Sequence, residues 1–444
     1  MHGLNNMVPK NMKVSYPGFI ILFLISSFFV RAQSYFPPVS SNSWDTLSPN
    51  HLKWCAREID QLYGFLDSNN TKAFILLKDG KIVLERYFNG HTPTANWYWA
   101  SAGKGLTATL IGIAQQNNYL SISDTTTNYL GSGWTDCSLN AEENITIRHQ
   151  LSMTTGLDDA VSDPFCTQDS CLKCLASPGS RWAYHNAPYT LLTEVIEQAT
   201  GSSLNLFTRT ELLNKTGMNG LYVKQGDNQL FVSTARSMAR FGLLMLNKGI
   251  WATDSILKDS SYFHAMTNSS QSLNPAYGFL WWLNGKSSYM IPNTQLQLNG
   301  SINPSAPADL FTALGKNGQF INVVPSQNLV WIRRGDAPDS SLVPFLLNEA
   351  IWKYINELQC ADFSELEVDR YSLEVFPNPV QDYLQVRNLP EEETVFYKIF
   401  SRSGRLLGEG TSGERIDLKG LSAGVYLLAL HINGSVSHQK VIKF

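Results

Sequence analysis

The sequence has no Gly-x-Ser-x-Gly elbow, so the serine scheme built on a strand-turn-helix with a later Asp and His is excluded. It has no His-Glu-x-x-His, and its eight histidines fall into no ligand spacing, which leaves a zinc-hydrolase reading unsupported. A large excess of charge of one sign is also lacking. A formal net charge of −3 over 444 residues exerts no general pull on phosphate backbones or anionic lipid, so nucleic acid is not an expected partner. No repeat of solenoid length and no block of like charge occurs. Beyond residue 30, no apolar run approaches the roughly 20 residues that a spanning helix needs.

What is present reads as an ordinary globular chain. An apolar fraction of 43% with 16% charged residues is enough for two or three domains with real cores. A small-molecule or short peptide substrate suits this balance better than a polyanion. Near the start, Lys10 and Lys13 precede the apolar run Phe19 to Val30, and Ala32 ends a small-residue cleavage site before Gln33. Residues 1–32 therefore read as a signal peptide, with a membrane anchor as the alternative. Six cysteines follow, an even number that favours disulfides in an exported chain. Cys171 and Cys174 form a CxxC, but no second CxxC or ordered His pair follows, so a disulfide-tied loop around 160–175 is expected instead of zinc. Cys55 and Cys360 sit in helical segments and can pair if those helices pack together.

Residues 33–47, rich in Ser, Pro and Asn, read as a linker, and a helix is expected after Ser48-Pro49-Asn50. Two apolar runs, AFILLK and IVLERYF, are joined by Asp79-Gly80 and predict a β-hairpin. The stretch SAGKGLTATLIGIAQQ suits a helix buried on most sides. Further helices are expected at Tyr189 to Ala199 and Thr234 to Asn247, within an otherwise loop-rich region. Strand character returns at Gln319 to Val324 and Asn328 to Arg333. Strands at both ends around a mostly helical insertion predict an α+β domain whose sheet draws on distant parts of the chain, spanning residues 48–360. After a linker at 361–370 the texture changes to short strands between Gly, Pro and Asn turns, and residues 371–444 read as a small all-β sandwich.

Chemistry concentrates at Ser101 and Lys104. A serine hydroxyl is a weak nucleophile at neutral pH and needs a base and a stabilised oxyanion. Three apart at the start of the predicted helix, the two side chains share a face about a turn apart. Positive charge from the helix N-terminus lies beside them, and a buried lysine there favours its neutral form. By itself SxxK is a common chance match. Its setting is not: Tyr184-His185-Asn186 follows, then Lys316-Asn317-Gly318 just before a strand-like run.

In this order and spacing, SxxK, YxN and a KTG-like triad resemble the serine β-lactamase and penicillin-binding-protein superfamily, nearest its class C and esterase branch. ILLKDGKIVLERYF, ITIRHQLSMTTGL, TARSMARFGLLMLNKGIW and YGFLWW agree with it. The resemblance covers about residues 45–357 and implies a β-lactamase/transpeptidase-like fold, with an antiparallel sheet flanked by helices. It implies that Ser101 is acylated, Lys104 is the base or proton relay, Tyr184 moves the proton and activates the deacylating water, and Lys316 adds positive charge. It further implies that Asn186, Asn317, Gly318 and Gln319 contact substrate, with the Ser101 and Gln319 amides forming the oxyanion hole. No metal or organic cofactor is implied. Asn317 stands where Thr is usual, which weakens penicillin-type substrates and leaves ester or amide hydrolysis. The readings are thus a carboxylesterase-like serine hydrolase, a β-lactamase or D,D-peptidase, or a surface binding protein that keeps the fold without turnover. His185, at the variable motif position, reads as structural or pocket-lining and His149 as a packing or loop-anchoring residue. Trp97, Trp99, Trp281 and Trp282 suit a pocket wall or a core equally.

The C-terminal segments LEVFPNP and GLSAGVYLLALHINGSVSHQKVIKF resemble the type IX secretion sorting domain, with Lys440 and Lys443 on the last strand. That resemblance implies contact with outer-membrane secretion machinery, export through the periplasm and outer membrane, and a secreted or cell-surface location. A carbohydrate-binding or adhesion sandwich is the alternative.

Overall fold

A computed structural model of the chain describes residues 34–336, 341, 343–360, 373–389, 393–402, 404–413, 415–432 and 435–444. The expected signal peptide and the expected linker at 361–370 lie outside these residues. The chain divides into two compact units, one comprising residues up to His51 together with Ile59–Asn356, the other Leu52–Glu58 together with Glu357–Phe444.

Helix α1 (Ala56–Ser68), which belongs to the first unit from Ile59 on, leads into strands β1 (Thr71–Lys78) and β2 (Lys81–Tyr87). The two-residue link has both φ angles positive, Asp79 at 51° and Gly80 at 80°, as a right-twisted hairpin demands. A short 3-10 turn, Ala100–Ala102, then opens helix α2 (Gly103–Gln116). Helix α3 (Asn186–Thr200), the hairpin β3 (Leu221–Gln225) and β4 (Asn228–Ser233), and helix α4 (Ala235–Leu246) fill the insertion. The chain returns to the sheet with β5 (Trp282–Leu283), β6 (Phe311–Gly315), β7 (Gln319–Val324) and β8 (Leu329–Gly335), and helix α5 (Phe345–Asn356) follows.

The six strands lie in the order β2-β1-β8-β7-β6-β5, antiparallel throughout, so the two ends of the unit meet at the centre of the sheet. Strands β7 and β8 are buried at every position, the pattern of strands covered on both faces. One face meets α5, whose Trp352 packs on Trp331 of β8 at 5.7 Å and donates from Nε1 to Asn322 Oδ1 at 3.2 Å. Helices α1 and α5 touch through Phe65 and Tyr354, stacked at 4.6 Å.

Residues 34–47, expected to be a linker, are instead docked along the first hairpin. Tyr35 N donates to Asp79 O at 2.9 Å, Trp44 Nε1 to Gly80 O at 2.8 Å, and Leu47 N to Ile82 O at 2.8 Å. Buried Arg240 holds the same segment through the carbonyls of Pro37, Pro38 and Ser41. Composition marked this stretch as irregular; it could not show that its backbone groups find partners.

Three disulfides form: Cys55–Cys360, Cys137–Cys174 and Cys166–Cys171. The CxxC is therefore split, each of its cysteines bonded elsewhere.

The second unit carries a three-stranded sheet of β9 (Glu374–Phe376), β10 (Tyr383–Arg387) and β13 (Arg415–Asp417). Its other sheet has four strands, β11 (Val395–Ser401), β12 (Leu406–Ser412), β14 (Gly424–Ile432) and β15 (Ser435–Lys443), in the order β12-β11-β14-β15. Leu384, Val386 and Ile416 from the first sheet share one apolar cluster with Ile399, Leu428 and Leu430 from the second, which makes the unit an all-β sandwich.

Candidate active site

Ser101 sits in the 3-10 turn just ahead of α2, after Ala100, whose φ of 46° is sparsely populated for a residue with a Cβ. Lys104, one turn on, places Nζ 2.9 Å from Ser101 Oγ and donates to Asn186 Oδ1 at 2.7 Å. Asn186 is the first residue of α3, so the contact ties α2 to the YxN segment. Burial depresses the Lys104 pKa from 10.5 to about 7, because charge is poorly solvated there. The rings of Tyr189 and Tyr184 lie 4.2 and 4.8 Å from the amine.

The Tyr184 hydroxyl is buried and forms no hydrogen bond among the described residues. Burial pushes its pKa up, and the neighbouring Ser101 hydroxyl opposes that shift. Trp282 stacks on the Tyr184 ring at 5.7 Å and Tyr277 meets it edge-on at 6.2 Å, which fixes the phenol.

A cavity of about 700 Å³ opens at Ser101. Lys104, Asn186, Lys316 and Asn317 line it with the serine, and Lys316 is exposed. Phe165 and the β3–β4 hairpin form another part of the wall. Among the described lining residues there is no Asp or Glu.

Four of the expected substrate contacts divide evenly. Asn186 and Asn317 reach the cavity; Gly318 and Gln319 do not line it. Lys316-Asn317-Gly318 is the turn between β6 and β7, just before the strand that starts at Gln319, as expected. Gly318, with φ 74°, gives its carbonyl to Arg333 Nη1 at 2.8 Å, and Gln319 pairs with Gly315 across the hairpin while its side chain bonds Gly335. Asn317 adopts φ 63° and donates from Nδ2 to Tyr98 Oη at 2.6 Å. Gln319, the expected oxyanion donor, is thus not among the residues that line the cavity.

The close approach to the serine is made by Gly315. A Cβ there would stand 2.7 Å from Trp99 O, 2.9 Å from Ala102 N and 3.1 Å from Ser101 N. Its backbone is extended, at φ −125°, so space and not conformation demands glycine. Sequence reading passed over Gly315, Tyr98, Tyr189 and Phe165; the signals were the glycine before Lys316, the tyrosine three before the serine, and the tyrosine three beyond Asn186.

The remaining candidates are structural. Trp99, Trp281 and Trp282 are core residues at 0–2% exposure. His149 Nδ1 accepts from Thr146 N at 3.1 Å in a helix capping box, so it anchors that loop. His185 is buried with neither ring nitrogen bonded among the described residues, and burial depresses its pKa to about 4. Among the described residues no group of three or more His, Cys, Asp or Glu is arranged to hold a metal ion.

An antiparallel sheet with a helical insertion and a Ser-Lys pair at their junction defines the class. Residues 70–333 match the beta-lactamase family, and the chain belongs to it. Residues 374–443 match the secretion system C-terminal sorting domain, which indicates export to a secreted or cell-surface location. An uncharacterized protein of Alkalihalophilus pseudofirmus is 24% identical over 308 residues, 60% of this chain and 84% of that protein. Among solved structures, a putative 6-aminohexanoate-dimer hydrolase from Bacillus anthracis is similar with a TM-score of 0.55 and 20% identity, covering 73% of this chain and 91% of that one. A family VIII carboxylesterase is similar with a TM-score of 0.51 and 13% identity, covering 69% and 98%. These likenesses establish the fold.

Proposed function

We propose that this chain is a secreted serine hydrolase that cleaves an ester through an acyl-Ser101 intermediate. The observation that carries the reading is the buried Lys104 amine, 2.9 Å from Ser101 Oγ and with its pKa brought to about 7. In the neutral form it takes the serine proton while Oγ attacks the substrate carbonyl carbon. The resulting oxyanion is held by the N–H groups of Ser101 and Lys316. Gly315 brings that strand end against the serine turn, which supports Lys316 as the second donor in place of Gln319. As the C–O bond breaks, the proton passes from Lys104 by way of Tyr184 to the leaving alkoxide. Water, deprotonated by the same pair, then attacks the acyl carbon and releases Ser101 and a carboxylic acid.

Ester over lactam follows from Asn317. One of its two Nδ2 hydrogens is given to Tyr98 Oη, which turns the amide toward that phenol, and no hydroxyl stands there to meet a lactam carboxylate. The cavity's lack of acidic residues also disfavours cationic substrates. A panel of short-chain aryl esters, nitrocefin and D-Ala-D-Ala peptides tests the reading: turnover of the esters alone supports it, and turnover of nitrocefin or the peptide without the esters overturns it. The sorting domain, on this reading, addresses the chain to the outer-membrane secretion machinery and is dispensable for hydrolysis.

A further inference from the structure

A second cavity, of about 550 Å³, lies against the β5–β6 edge of the sheet and shares no lining residue with the Ser101 cavity. Its floor is apolar. Met245, Leu246, Leu257, Phe263, Leu283 and Phe311 face it, each at most 7% exposed. Its volume is in the ordinary range for a site that encloses a small ligand, about 300–1,000 Å³.

The polar side chains of the lining are largely spent within the protein. Asn284 Nδ2 donates to the carbonyls of Asn303, Ala306 and Pro307, and Thr267 Oγ1 to Phe263 O. Asp309, the single acid of the lining, accepts from Ser326 N at 2.6 Å and from Ser326 Oγ at 2.7 Å. Lys248, Lys258 and Lys286 stand around this floor, and none of the three is ion-paired among the described residues. An apolar pocket under unpaired ammonium groups complements a molecule with an alkyl body and one negative head. Flexible lysine stems can follow such a head while keeping their charge in water. A cationic or strongly polar ligand would gain nothing from the floor and be repelled at the rim.

We propose that this cavity binds a medium-chain carboxylate, its alkyl chain on the apolar floor and its head group among Lys248, Lys258 and Lys286. The site is separate from the nucleophile and does not depend on hydrolysis. Calorimetric titration of the full chain with decanoate, below its micelle concentration, tests it. The expected result is one binding site, at least about ten-fold weaker for decyltrimethylammonium and weakened by added salt. The double variant Lys258→Glu/Lys286→Glu loses about ten-fold or more in decanoate affinity. Lys224→Glu, a charge reversal at the Ser101 cavity, leaves it unchanged. No decanoate binding, equal binding of the cationic amphiphile, or loss in Lys224→Glu with retention in the double variant overturns the proposal.

Discussion

Asn186 Oδ1 accepts a hydrogen bond from Lys104 Nζ at 2.7 Å, so the amine that faces the serine is held from the opposite helix. This acceptor favours the ammonium form and sets a limit to how far burial can depress the lysine pKa. Asn186→Ala removes it. The expected outcome is a further drop in the Lys104 pKa, seen as a shift of the acid limb of kcat/KM to lower pH, together with a loss of about 10- to 100-fold in kcat from misorientation.

Lys104 also links pH to stability. Its pKa is about 7 in the folded chain and 10.5 ordinarily, so between these values the unfolded chain binds more protons than the folded one. Stability from this group therefore rises with pH from about 7 toward 10.5 and is lowest below 7. Lys104→Met keeps the stem without the charge. Denaturant melts at pH 6 and pH 9 should show the variant gaining more at pH 6, while ester turnover falls about 10²- to 10⁴-fold.

Restoring the usual Thr by Asn317→Thr should harm the protein instead of creating a lactamase. Asn317 has φ 63°, where asparagine is tolerated and a β-branched residue is strained by about 1–2 kcal/mol. The bond to Tyr98 is lost as well. A lowered thermal midpoint with no nitrocefin turnover is the expected outcome; an unchanged midpoint contradicts the strained turn.

Gly315→Ala probes the approach of the strand to the serine turn. Its Cβ would sit 2.7 Å from Trp99 O and 2.9 Å from Ala102 N, so the turn that carries Ser101 must move. A displacement of this kind costs on the order of 10²-fold in kcat. Circular dichroism should report a retained fold, and a variant of wild-type kcat would show that the turn yields without cost.

Much of this was legible from the chain itself. The hairpin at Asp79-Gly80, the buried helix after Ser101 and the strand at Gln319 each carry a strong local pattern, and the Ser-x-x-Lys spacing has one geometric meaning on a helix. The turn at Lys316-Asn317-Gly318 ahead of the strand at Gln319 was legible too, but the strand on its other side, Phe311–Gly315, and the close approach of Gly315 to the serine turn were not, because they depend on pairing and packing. The docking of residues 34–47 and the commitment of Asn317 to Tyr98 depend on contacts between distant residues, which no local window contains.

The central claim is that a neutral Lys104 activates Ser101. Rates of fluorophosphonate labelling across pH, with the adduct mapped by peptide mass spectrometry, test it most directly. A single adduct on Ser101, with a rate that falls as pH drops through about 7 and is greatly slowed in Lys104→Met, is the predicted result. An adduct on another residue, or a rate at Ser101 indifferent to both pH and Lys104, would contradict it.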